Sequence, residues 1–179
     1  MSNITLVHAS CADQTVDAVV NAANCRLLFG GGICGAIFRK AGIVELSEAC
    51  SKYGVPLKDG SAVITPAFKM ENAKFIIHAV GPNFALTPTA FESLFDAYYN
   101  SLKVLMENGL SSISFPLISS GIYGGNLENP VEISAKSCCG AYKKFITDYP
   151  SYEIAVKLCA YSEREMEEAQ KVFSEEFTK

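Results

Sequence analysis

The sequence predicts an α/β domain whose sheet is covered on both faces. Short apolar runs alternate with amphipathic stretches along the chain, with no Pro/Ser linker and no internal period. Several of those runs are too uniformly apolar to leave one face in water, as strands sandwiched between helices are. At 179 residues the chain suits one domain, from residue 1 to residue 179, and is long enough to bury about 70% of its unfolded surface.

Six runs read as strands: residues 4–8, 17–22, 61–66, 75–80, 112–118 and 153–160. Helices fall between them. Phe91, Leu94, Phe95, Tyr98, Leu102 and Leu105 recur at helical spacing between Thr89 and Gly109, with Thr89 and Glu92 placed as a capping box and Gly109 as a stop. Ser162 and Glu165 form a second capping-box pattern, opening a helix that runs towards Phe177. Further helices are expected over residues 35–41, 44–52 and 131–146.

Composition narrows the function. Hydrophobic residues make up 49%, charged residues 19%, and 15 Lys+Arg against 19 Asp+Glu leave a net charge of −4, which excludes disorder and collagen-like repeats. No run of Lys or Arg supplies the footprint that nonspecific duplex binding needs. The chain shows no basic-then-apolar leader and no stretch of apolar residues long enough to span a membrane. Seven cysteines without a C-x-x-C pair suit reduced thiols in a cytoplasm. The two histidines, His8 and His78, join them in no metal-ligand spacing, so no metal is expected.

Two glycine-rich loops, Gly30-Gly31-Gly32-Ile33-Cys34-Gly35 and Ser119-Ser120-Gly121-Ile122-Tyr123-Gly124-Gly125, each follow an apolar strand and precede a helix. Ligands bind at that edge of an α/β sheet, and glycines there let backbone N–H groups approach an anion. Two such loops suit a diphosphate. Gly30, Gly32 and Gly35 also satisfy G-x-G-x-x-G, which keeps hydride transfer as an alternative, but residues 23–30 put too long a connection before the pattern and no acidic residue closes the next strand. Ahead of the first loop, Val19-Val20-Asn21-Ala22-Ala23-Asn24 ends a strand in two amides. An amide both donates to and accepts from vicinal hydroxyls, as a ribose requires, and it equally caps turns.

The segment from Val16 to Asn24, then Gly30 to Ile37, His78-Ala79-Val80-Gly81-Pro82 and Ser119 to Gly124, in this order and spacing, resembles the macro domain family. The resemblance runs from about Ile4 to Phe173 and is closest to the subgroup that removes mono-ADP-ribose from proteins or deacetylates O-acetyl-ADP-ribose. It implies a three-layer α/β/α fold with a mixed, mostly parallel central sheet, and ADP-ribose lying across the strand ends. It further implies that Asn24 meets the distal ribose, that Gly31, Gly32, Ile33, Cys34 and Gly35 wrap the diphosphate and distal ribose, and that Ser119, Ser120, Gly121, Ile122 and Tyr123 close the other side. Tyr123 would lie against the distal ribose and Tyr161 near adenine, with Ser10, Cys11 and Ala22 completing the contacts. Asn24, Cys34 and Tyr123 are the implied catalytic residues, with no cofactor.

Two departures from the family pattern stand out. Ser10 occupies the position where an acidic residue usually binds the adenine amino group, and a neutral hydroxyl makes a bond roughly half as strong. Cys34 stands where hydrolases commonly have an Asp. A thiol near a helix N-terminus tends towards thiolate, which a neighbouring diphosphate opposes. The expected function is therefore hydrolysis of mono-ADP-ribose esters on proteins, or deacetylation of O-acetyl-ADP-ribose, through a water held by the substrate's own phosphate. The alternative is a module that binds ADP-ribose, or a mono-ADP-ribosylated protein, without turnover. His78 is expected to be a buried structural histidine.

Overall fold

The alternation of strands and helices is realised over residues 1–178, which the computed structural model describes. The strands are β1 (Asn3–His8), β2 (Val16–Ala23), β3 (Ala62–Pro66), β4 (Ala73–Val80), β5 (Ser112–Phe115) and β6 (Ala155–Ala160). The helices are α1 (Gly32–Ala41), α2 (Ile43–Cys50), α3 (Phe91–Glu107), α4 (Pro130–Asp148) and α5 (Glu163–Phe177). Short 3-10 turns cover Cys11–Asp13 and Ile122–Gly124.

One six-stranded sheet has the order β1-β6-β5-β2-β4-β3. Every pairing is parallel except that of β3 with β4, so the C-terminal ends of five strands share one edge. Alternate side chains feed two cores. Ala18 and Val20 of β2 turn towards α3, α4 and α5, where Leu94, Tyr98, Leu102, Phe145 and Phe173 pack. Val19 and Ala23 turn towards α1 and α2, against Ile37, Phe38 and Leu46. The result is a three-layer α/β/α arrangement, and it explains why the strands read as apolar on both faces.

Helix ends match the sequence unevenly. After α3, Leu110 N–H bonds to the Leu105 carbonyl at 3.0 Å and Gly109 N–H to that of Met106 at 2.9 Å, closing a Schellman motif that needs the left-handed φ of +68° held by Gly109. The Ser162–Glu165 capping box is present in both directions. The Thr89–Glu92 box is not. Ala90 is the N-cap and no side chain caps α3. The turn that leads in spends the Thr87 carbonyl on Ala90 N–H and the Thr89 carbonyl on Phe91 N–H, leaving Thr89 one residue short of the cap. Phe91 instead fixes the entry by packing on Phe84, ring centroids 5.4 Å apart.

β5 also ends earlier than the apolar run suggests, at Phe115 rather than Ile118. Pro116 has no N–H for the ladder, so the chain leaves the sheet there. The buried segment that follows is received by Tyr98 of α3. Its hydroxyl oxygen accepts from Ile118 N–H at 2.9 Å and lies 2.6 Å from Ser134 Oγ. Ser134 donates its own proton to the Ile118 carbonyl at 2.6 Å, so the Tyr98 proton goes to Ser134, with the Pro116 carbonyl 3.3 Å away. Tyr98→Phe keeps the ring's edge contact with Phe115 but leaves the Ile118 amide buried and unpaired. It should cost about 1–3 kcal/mol in urea unfolding, and a loss below about 0.5 kcal/mol would show that the segment does not depend on the hydroxyl.

Candidate functional site

A cleft of about 900 Å³ opens along the shared edge of the strand ends. Its walls come from the residues that follow β1 (Ser10, Cys11), the end of β2 and the loop beyond it (Ala22, Asn24, Gly31, Gly32, Ile33, Cys34), the segment after β5 (Ser119, Ser120, Gly121, Ile122, Tyr123) and the chain beyond β6 (Tyr161). Every site residue singled out from sequence lines it except Gly35. A Cβ on Gly35 would stand 2.6 Å from the Gly30 carbonyl oxygen, so this glycine lets the loop fold back onto α1 instead of facing the cleft.

The first loop is built by Asn24. Its Oδ1 accepts from the N–H groups of Arg26 at 3.1 Å and Leu28 at 3.0 Å, and its Nδ2 donates to the Leu28 carbonyl at 2.8 Å. Within that turn Leu27 adopts φ +55° and is buried. Both readings of the amide therefore coexist: Asn24 caps the turn and also lines the cleft. α1 starts at Gly32 with no side-chain cap, so its first N–H groups are free to donate into the cleft.

Asn21, the inner amide, has a different place. It is buried, and its Nδ2 lies 3.0 Å from Nδ1 of His78, its in-register partner on β4. With Nδ1 accepting, Nε2 carries the ring proton and donates to Thr65 Oγ1 at 3.0 Å. Burial holds His78 down to about 3 from an ordinary 6.5, so the ring is neutral and structural.

The second loop is tied to the segment after β4. Ser119 Oγ donates to the Pro82 carbonyl and Ser120 Oγ to that of Leu117, both at 2.7 Å, while Phe84 N–H reaches the Tyr123 carbonyl at 2.8 Å. The two serine hydroxyls thus hold the loop. No side chain caps the Ile122–Gly124 turn, which leaves N–H groups at its start as donors.

The electrostatics are those of dipoles. Burial raises the thiols of Cys11, Cys34 and Cys159, the last to about 12, so the cleft holds neutral thiols. The Cys34 thiol donates to the Leu28 carbonyl at 3.5 Å. For Cys34 desolvation outweighs the lowering influence of the Gly30 backbone and the Asn21 side chain, contrary to the tendency towards thiolate expected from position alone. Among the lining side chains the only formal charges are Arg39 and Glu165, neither of which the sequence singled out as a site residue. Arg39 was legible in principle, four residues after Gly35 on one helix face. Among the described residues no group of three or more His, Cys, Asp or Glu is arranged to hold a metal ion, and no helix is long and apolar enough to cross a membrane.

Comparison with known proteins points one way. The family model described as Macro domain matches residues 20–134. A macro domain-containing protein of Chlorobaculum tepidum is 40% identical over 97% of this chain and 99% of its own length. An O-acetyl-ADP-ribose deacetylase of Citrobacter rodentium is 40% identical over 88% of each chain. An Oceanobacillus iheyensis macrodomain solved with ADP superposes with a TM-score of 0.87 at 34% identity, covering 97% of this chain and 91% of that one.

Two measurements check the site. Asn24→Ala removes three hydrogen bonds from the turn and should lower stability by about 1–2 kcal/mol in urea, besides weakening any ligand; an unchanged midpoint would deny the cap. Because His78 takes up a proton near 6.5 when unfolded but only near 3 when folded, its contribution to stability is full above pH 6.5 and falls away as the pH drops towards 3. His78→Gln should flatten that slope in a pH series of urea midpoints, and an equally steep fall would place the acid sensitivity elsewhere.

Proposed function

The chain belongs to the macro domain family, and on that premise we propose that it binds ADP-ribose in this cleft and hydrolyses mono-ADP-ribose esters, either on protein carboxylates or as O-acetyl-ADP-ribose. The observation that carries the reading is the convergence of two uncapped helical N-termini, at Gly32 and Ile122, on one cleft beside Asn24. N–H groups from both loops suit a diphosphate between them, since backbone donors at helical starts favour an anion. In this reading Asn24 and Tyr123 hold the distal ribose, and Gly31, Gly32, Ile33 and Cys34 face Ser119, Ser120, Gly121 and Ile122 across the diphosphate. Gly35 serves by letting the loop close. The base lies between Ser10 and Tyr161, with Cys11 and Ala22 on the floor.

The neutral thiol of Cys34 favours water as the nucleophile. A water held by a phosphate oxygen and the ribose attacks the reacting carbon of the ester. Its oxygen forms the new bond, the ester C–O bond breaks, and its proton passes by way of the phosphate to the departing oxygen. The products are a carboxylic acid and ADP-ribose with a free hydroxyl.

One observation favours a second reading, a non-catalytic ADP-ribose reader. Among the described residues the only carboxylate in the cleft wall belongs to Glu165, which follows β6, while Cys34 follows β2, two strands away in the sheet. The sheet that places β1 next to β6 supports taking residues 1–179 as one macro domain, and seven free cysteines fit a reducing, cytoplasmic setting.

Incubation with mono-ADP-ribosylated protein and, separately, with O-acetyl-ADP-ribose should release ADP-ribose progressively, and calorimetry should show ADP-ribose binding better than NAD. Saturable binding without release selects the reader. Equal affinity for NAD would remove the enclosed distal ribose. Cys34→Ser should keep turnover within about tenfold, whereas loss of several orders of magnitude would restore a thiol nucleophile.

A further inference from the structure

At the base end of the cleft Ser10 offers an amino group only an uncharged acceptor. Ser10 is the N-cap of the Cys11–Asp13 turn, and its Oγ accepts from Ala12 N–H at 3.3 Å. With one lone pair so used, the hydroxyl keeps only an uncharged acceptor site, beside its own proton, to offer the cleft. Adenine presents an exocyclic amino group, which only donates.

Glu165 supplies the opposite polarity. Its Oε1 accepts from Tyr161 N–H at 3.1 Å and Ser162 N–H at 2.9 Å, and its second oxygen makes no hydrogen bond or ion pair within the described residues. Glu165 lines the cleft, as does Tyr161. Its position relative to Ser10 follows from the sheet. β1 and β6 are adjacent and parallel, with His8 opposite Ala160, and Ala9 N–H extends the pairing to the Ala160 carbonyl at 3.0 Å. Ser10 and the N–H groups that anchor Glu165 therefore leave neighbouring strands, about 4.8 Å apart, at the same level of the edge. Held by two backbone donors, the side chain has little rotamer freedom left to lose on binding.

Resting on the ADP-ribose reading above, we propose that the free carboxylate oxygen of Glu165 accepts the exocyclic amino group of the base, so that one side chain caps α5 and selects a 6-aminopurine diphosphate ribose over its 6-oxopurine counterpart. The charge-assisted bond that Ser10 cannot make comes from the next strand.

The test is calorimetry of the full chain with ADP-ribose and with inosine diphosphate ribose, its hypoxanthine analogue. Wild type should prefer ADP-ribose by about tenfold or more. Glu165→Gln keeps a carbonyl oxygen for the capping box and turns an NH₂ group towards the base, so it should leave the apoprotein's Tm nearly unchanged and erase or invert the preference. Ser162→Ala is the control: it weakens the cap and lowers Tm but should leave the ratio of affinities intact. An unchanged ratio in Glu165→Gln, or the same shift in Ser162→Ala, would overturn the proposal while ADP-ribose binding stands. Failure of the wild type to bind either ligand would overturn the reading of the cleft, and this inference with it.

Discussion

Beyond Phe115 the chain must leave the sheet, because Pro116 cannot donate to it, and yet the next residues stay buried. Backbone groups in that position need partners that no strand supplies. The Tyr98 hydroxyl, with Ser134 behind it, provides them from the helical layer. Because Ile118 is thereby fixed, Ser119 is brought against the Pro82 carbonyl and the second glycine loop arrives opposite the first. A buried phenol in α3 thus sets the width of a cleft that it does not line.

Both loops obey the same economy. Most of their polar side-chain capacity is spent inside the loop, that of Asn24 on its own turn and that of the serines on nearby carbonyls, while the groups left over are one Asn24 Nδ2 proton, the Tyr123 hydroxyl and N–H dipoles at helical starts. A rigid array of dipoles needs no reorganisation when an anion arrives. It also explains why a chain with net charge −4 can be read as the host of a diphosphate: the whole-molecule charge is distant and screened, whereas the donors are in contact.

Much of this was legible in the residues. Uniformly apolar runs disclosed a sheet buried on both faces, and Gly109 and the Ser162–Glu165 pair marked real helix ends. Those signals are local, set by a few adjacent dihedrals. The failures were of the other kind. Thr89 has the right chemistry for a cap, but packing of Phe91 on Phe84 decided where α3 begins. The run after Phe115 is apolar because it is buried, though not as strand. Asn21 and Asn24 look alike in sequence, and only the register of β2 against His78 separates the inward amide from the outward one. Glu165 is legible as a cap, while the role proposed for it at the base depends on β6 lying beside β1, which no local pattern states.

That adjacency of the first and last strands bears on how the chain acquires its structure during synthesis. β1 is made before the other five strands but pairs with β6 alone, so it waits for the segment Ala155–Ala160 to leave the ribosome. Contacts so distant in sequence close slowly, and an unpaired apolar strand is exposed to aggregation meanwhile. The central strands β2, β4 and β5 can assemble earlier with the helices between them, forming the two glycine loops. The wall that carries Ser10, Tyr161 and Glu165 is completed only after β6 and the start of α5 have been made, so a product cut short before β6 would hold both loops and lack the wall proposed for the base.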